Sequence, residues 1–141
     1  MTKTFKILSS VAGIAAIVQL SACDTGQYTQ SKQFDRVHMS VTTKPDPLEV
    51  GMDAEVYVTM RLDRSAVNGC RMKFRQYMPG MEMSEDDLFR DLPEQSRSGI
   101  YKAKTGEFSM GGDWELEFIF DCHNVLPETK ATFPYKLDWP E

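Results

Sequence analysis

The chain has 141 residues, with 16 Lys and Arg against 21 Asp and Glu, for a formal charge of −5. An acidic chain lacks the basic footprint that nucleic-acid binding needs, so that class of partner is excluded. The length allows one domain around one hydrophobic core.

Lys3 and Lys6 precede an apolar run from Ile7 to Leu20. The run is too short and too early for an ordinary membrane span. It ends in Leu20-Ser21-Ala22-Cys23, with small residues just before a cysteine. This resembles the lipobox of bacterial lipoproteins, in which the cysteine is acylated and the chain is cut before it. The resemblance implies a signal peptide at residues 1–22 and a lipidated Cys23. Removing 22 of 141 residues leaves 119, and losing Lys3 and Lys6 leaves 14 basic and 21 acidic residues, a charge of −7. Acyl chains contribute about 0.8 kcal/mol per buried CH₂, so several of them hold a protein in the bilayer permanently. The implied location is a membrane face outside the cytoplasm. Asp24, following the acylated cysteine, implies the periplasmic face of the inner membrane.

Residues 23–33 are polar and read as a lipidated N-terminus and flexible leash, leaving 34–141 as the folded domain. From there strand signals of period two recur between turn signals. Val37, Met39 and Val41 alternate with His38, Ser40 and Thr42. After the turn Lys44-Pro45-Asp46-Pro47, and opened by Gly51, a second strand puts Ala54, Val56, Val58, Met60 and Leu62 on one face. Asn68-Gly69 is a turn signal. A third strand aligns Cys70, Met72, Phe74, Gln76 and Met78. Residues 84–97 read as a long acidic loop, with one helical turn expected near Asp86 to Phe89. A later strand aligns Trp114, Leu116, Phe118, Phe120 and Cys122. The last aligns Phe133, Tyr135, Leu137 and Trp139, and Pro134 makes it an edge strand, or a bulged one, because proline cannot donate to a ladder. About seven short strands predict an all-β, immunoglobulin-like two-sheet sandwich.

With Cys23 used by lipid, Cys70 and Cys122 form an even pair in an oxidising compartment, which predicts a disulfide. Two free thiols or a thiolate metal site are the other readings of that pair. Cys70 begins its strand and Cys122 ends its own, so antiparallel pairing sets the two opposite each other. The same register sets Arg71 opposite Asp121, Met72 opposite Phe120, Phe74 opposite Phe118 and Arg75 opposite Glu117. A slip by one residue would turn the apolar set outward.

Met78-Pro79-Gly80-Met81-Glu82-Met83 is the unusual cluster. Pro-Gly suits the centre of a type II turn. Met81 and Met83, two apart, would share a face on a strand. Met110 precedes Gly111-Gly112, close to Trp114, which the register sets opposite Met78. Thioether is a soft ligand suited to Cu(I), and it binds without losing a proton. His38 or His123 could add a nitrogen ligand. Methionine also fills irregular core gaps against aromatic rings, and a methionine-rich surface can serve as a partner contact; Met60 and Met72 read as core.

Met78-Pro79-Gly80-Met81, Gly99-Ile100-Tyr101-Lys102-Ala103 and Phe108-Ser109-Met110-Gly111-Gly112-Asp113-Trp114-Glu115-Leu116 together resemble the YtkA-like domain family. The family carries a Met-Pro-x-Met turn, a Gly-x-Tyr-x-Ala strand and a Met-x-Gly-x-Trp-x-Leu strand, and the likeness spans roughly residues 37–120. The related FixH-like proteins are membrane-bound and associated with cytochrome oxidase assembly and copper handling. The resemblance therefore implies a membrane complex such as an oxidase as partner. This chain has Gly80 between the turn methionines, no histidine in that turn, and a cysteine pair outside the family's pattern.

Catalytic signals are missing. There is no His-Glu-x-x-His, no Gly-x-Ser-x-Gly and no phosphate-cradling glycine loop. Cys122 and His123 are neighbours on a strand and point to opposite faces. Glu85, Asp86, Asp87 and Asp91 lack the glycine and spacing of a calcium loop and read as a solvated acidic loop. The expectation is a non-enzymatic, membrane-tethered binding domain. Its sharpest form binds Cu(I) through Met78, Met81, Met83 and Met110. Its alternative is a metal-free subunit docking on an envelope complex.

Overall fold

A computed structural model describes residues 29–82 and 88–141. The signal segment, Cys23, Met83, Glu85, Asp86 and Asp87 lie outside the described residues, and with them half of the helical turn expected near Asp86 to Phe89; the other half, Leu88 and Phe89, is not helical. Nine strands follow one another: β1 (Gln30–Phe34), β2 (Val37–Lys44), β3 (Glu55–Leu62), β4 (Ser65–Ala66), β5 (Arg71–Tyr77), β6 (Arg90–Asp91), β7 (Ile100–Lys104), β8 (Gly112–Cys122) and β9 (Leu126–Leu137). They form two antiparallel sheets. One runs β1-β2-β3, with β4 and β7 both paired to the remaining side of β3; the other runs β6-β5-β8-β9. The fold is an all-β two-sheet sandwich. No helix among the described residues is long and apolar enough to cross a membrane.

The alternation read from the sequence is the alternation that packs. Val37, Met39 and Val41 on β2 are buried, as are Val56, Val58 and Met60 on β3 and Trp114, Leu116, Phe118, Phe120 and Cys122 on β8. Burying side chains of this size contributes roughly 1.5–3 kcal/mol each. The β5–β8 register is the expected one, with Met72 opposite Phe120, Phe74 opposite Phe118 and Arg71 opposite Asp121. Phe74 and Phe118 stack at 6.1 Å, and Phe118 meets Phe133 of β9 edge-on at 5.7 Å. Outside the core, Arg75 reaches Glu117 at 3.4 Å. Between the sheets, Phe34 packs edge-on against Phe120 at 5.4 Å. The Tyr101 hydroxyl accepts from Cys70 N–H at 3.0 Å and donates to the Val67 carbonyl at 2.9 Å, so one buried phenol fastens β7 to the start of β5.

Four expectations need correction. The strands number nine among the described residues, because β4 and β6 are two-residue pairs too short to carry a periodic signal. The stretch 84–97, expected to be loop with one helical turn, contains β6, held where Leu92 is buried and its N–H donates to the Met72 carbonyl at 2.9 Å. Residues 30–33, expected in the leash, belong to β1, which pairs with β2 from Gln30 opposite Val41 to Phe34 opposite Val37. That strand is made by backbone pairing and by side chains that cover the edge of β9: Gln30 Nε2 donates to the Pro134 carbonyl and Lys32 Nζ to the Thr132 carbonyl. The apolar face of β9 stops at Leu137, and Trp139 lies beyond it, 66% exposed. Pro134 does sit on an edge strand, opposite Glu115.

Candidate functional site: the methionine end

β2, β5, β7 and β9 finish at one end of the sandwich, and β3 and β8 start there. Residues 45–54, 78–82, 105–111 and 138–141 therefore gather at that end. Pro79-Gly80 makes the turn its residues dictate, with Gly80 at φ +81° and Met81 N–H donating to the Met78 carbonyl at 3.2 Å. Only glycine takes that φ without strain. Met78 is half-buried against the core, and a Cβ placed on Gly112 would lie 2.9 Å from its terminal methyl. Met110 is half-buried against the same core, and its carbonyl accepts from Trp114 Nε1–H at 2.9 Å. The Trp114 ring meets Phe108 edge-on at 5.1 Å.

The loops at this end are tied down by groups the sequence reading missed. Gln76, expected on the apolar face, instead grips residues 106–107. Its Nε2 donates to the Gly106 carbonyl at 3.1 Å, and its Oε1 accepts from Gly106 N–H at 2.7 Å. Buried Thr105 accepts from Ala54 N–H at 2.8 Å. Gly51 N–H donates to the Phe108 carbonyl at 2.8 Å and Phe108 N–H to the Met52 carbonyl at 3.0 Å. Those bonds bring Met52, which is 46% exposed, to the methionine end. The signal that could have found it is the topology, since β2–β3 and β7–β8 connections fall at the same end.

The expected site residues thus separate. Met78 and Met110 come to the same end and face the core. Met81 is 50% exposed, in the turn rather than on a strand, so the shared strand face expected for Met81 and Met83 is not formed at Met81. The expected nitrogen ligands are elsewhere: His38 lies near the start of β2 opposite Arg61, and His123 follows Cys122 at the far end. Cys70 and Cys122 are disulfide-bonded, with Cα atoms 4.1 Å apart. Among the described residues no three His, Cys, Asp or Glu side chains converge to hold a metal. A pocket of about 560 Å³ lies beside the disulfide. It is lined by charges of both signs, including Arg71, Lys73, Asp91 and Asp121, and Arg71 already pairs with Asp121 at 3.2 Å.

Electrostatics divide the molecule. The described residues of the connections at the methionine end include Asp46, Glu49 and Asp53, then Glu82, Glu107, Asp138 and Glu141, and no Lys or Arg. The connections at the disulfide end are balanced, with Asp35, Asp63 and Glu94 against Arg36, Arg64 and Arg97.

The turn, the Tyr101 strand and the Met110–Trp114 segment now stand in one fold, and the sequence profile of the YtkA-like family matches residues 31–118. The chain belongs to the YtkA-like family. The match runs from β1 into β8; it contains Cys70 and ends before Cys122 and β9. A search of curated proteins found no match. In this YtkA-like domain the family's three sequence pieces have separate physical duties: the Met-Pro-Gly-Met turn shapes the end, buried Tyr101 joins the sheets, and buried Trp114 closes the core beneath Met110.

Proposed function

We propose that this YtkA-like chain is a lipid-anchored, extracytoplasmic binding domain that takes up Cu(I) at its methionine end and carries no catalytic activity. Cys23 is the acylated anchor, and residues 24–29 join it to β1. The observation that carries the copper reading is the coincidence, at one end, of thioethers with an acid-only set of connections. Met81 is exposed on a turn that glycine fixes, and Met78 and Met110 are half-buried against the core at the same end. Thioethers select a soft monovalent ion, and surrounding carboxylates raise the local concentration of any cation. Met83, two residues beyond Met81, completes the proposed ligand set. A membrane complex such as an oxidase is the proposed recipient, by family analogy.

The test is an anaerobic Cu(I) competition titration of the lipidated protein in detergent, with Met81→Leu/Met83→Leu as control. One-to-one binding that the double substitution removes is expected. An absence of binding, or binding indifferent to the substitutions, overturns the copper reading. The second reading, a metal-free docking subunit, is favoured by the exposure of Met52, Met81 and Trp139 on the same end. It predicts that Met→Leu changes leave function intact, since shape and apolarity persist.

A further inference from the structure

We infer that the methionine end is a docking face for a protein embedded in the same membrane, one that presents an apolar centre ringed by Lys and Arg. The inference rests on the membrane-anchoring part of the reading above and is independent of copper.

Three observations lead to it. Met52, Met81 and Trp139 are exposed at this end, and a hollow of about 260 Å³ opens there, lined by Leu48, Val50 and Pro140 together with Glu49, Asp138 and Lys136. Protein interfaces combine such an apolar centre, rich in Met and Trp, with a polar rim. The rim here is acidic throughout its four connections, whereas the opposite end is neutral. Complementary charge of this kind steers encounter and rejects wrong partners.

The third observation is where the chain enters. Gln30 pairs with Val41, three residues short of the end of β2 at Lys44, and Thr29 Oγ1 lies 3.1 Å from Thr42 Oγ1. The polypeptide therefore comes into the domain from the methionine end. Six residues, 24–29, separate the anchor from β1, and the seven steps from Cys23 to Gln30, at about 3.4 Å each, span at most roughly 24 Å. The methionine end is held that close to the bilayer. The bilayer itself is a poor occupant, because anionic headgroups repel a carboxylate rim. A basic protein surface at the membrane satisfies both the rim and the centre.

The experiment uses the full lipidated chain in the cells that make it. A photoreactive phenylalanine analogue replaces Met81 or Trp139, or, at the opposite end, Arg97 or Asn124. The expected result is a discrete crosslink from positions 81 and 139 to an integral membrane protein, and none from 97 or 124. Its yield should fall about tenfold or more in Glu49→Lys/Asp53→Lys/Glu107→Lys, all exposed positions. If that variant loses its disulfide-locked fold, Glu49→Gln/Glu107→Gln replaces it, with a smaller fall expected. Crosslinks only to lipid, equal crosslinks from both ends, no crosslink, or yields indifferent to the charge changes each overturn the inference. The mass of the mature chain reports separately on Cys23. An unacylated chain refutes the anchor, whereas an acylated chain with no crosslink refutes only the docking face.

Discussion

Removing the disulfide by Cys70→Ala/Cys122→Ala should destabilise the domain by about 4 kcal/mol. The cysteines are 52 residues apart in sequence, and closing a loop of that length removes about 14 cal/mol/K of chain entropy from the unfolded state, hence about 4 kcal/mol at 25 °C. Native geometry is expected to survive the change. Cys70 and Cys122 end a seven-pair β5–β8 ladder that runs from Arg71–Asp121 to Tyr77–Glu115, and Cys70 N–H is held by the Tyr101 hydroxyl. For a domain of about 110 residues, with unfolding entropy near 2.1 cal/mol/K per residue, the loss corresponds to a fall in Tm of about 15–20 °C. Urea unfolding and thermal unfolding, each followed by tryptophan fluorescence, read the two quantities, and the urea m value should rise because the unlinked chain exposes more surface. A loss below about 1 kcal/mol with an unchanged m value would refute the assignment of this bond as the main constraint on the unfolded chain.

Two further outcomes follow from particular contacts. Gly99 has φ +72°, and a Cβ there would lie 2.9 Å from both the Ala66 Cβ and the Met60 carbonyl oxygen. Gly99→Ala should therefore cost about 2–4 kcal/mol, from left-handed strain and overpacking together. It should also speed hydrogen exchange at Met60 and Val67, whose N–H groups bond to the Gly99 and Met60 carbonyls; stability within 1 kcal/mol of the parent would contradict the crowding. The Tyr77 hydroxyl donates to Glu115, and this bond, with burial adding to it, pushes the phenol up to about 12. A folded-state value above the unfolded one, near 10, means the stabilisation is complete below pH 10 and drains away as pH rises through about 12. Phenolate absorbance, taken as the difference from Tyr77→Phe, should show this late titration, and Glu115→Gln should bring it earlier. An unmoved titration would remove Glu115 as the cause.

The sequence by itself determined the sandwich and its central register. Apolar residues alternate with polar ones from Val37 to Val41, from Ala54 to Leu62 and from Trp114 to Cys122. Period two fixes which face each residue takes without reference to any other part of the chain. Two cysteines at opposite ends of their strands, with Arg71–Asp121 and Arg75–Glu117 in step, then allow one antiparallel alignment. The Met78–Met81 turn was legible for the same local reason, since proline and glycine each accept few alternatives.

Other features depended on neighbours distant in sequence. β1 and β6 exist because Gln30, Lys32 and Leu92 find partners on β9 and β5, and such backbone pairing leaves little periodic trace in two to five residues. Gln76 reads as one more inward residue until the Gly106–Glu107 loop arrives to bind it. His38 and His123 are candidate ligands in one dimension and lie away from the methionine end in three. Met52 and the acidic connections come together only when four segments, from residue 45 to residue 141, converge at one end of the sandwich. Local propensity is written along the chain, but a surface is assembled by which strand ends coincide, and tertiary packing decides that.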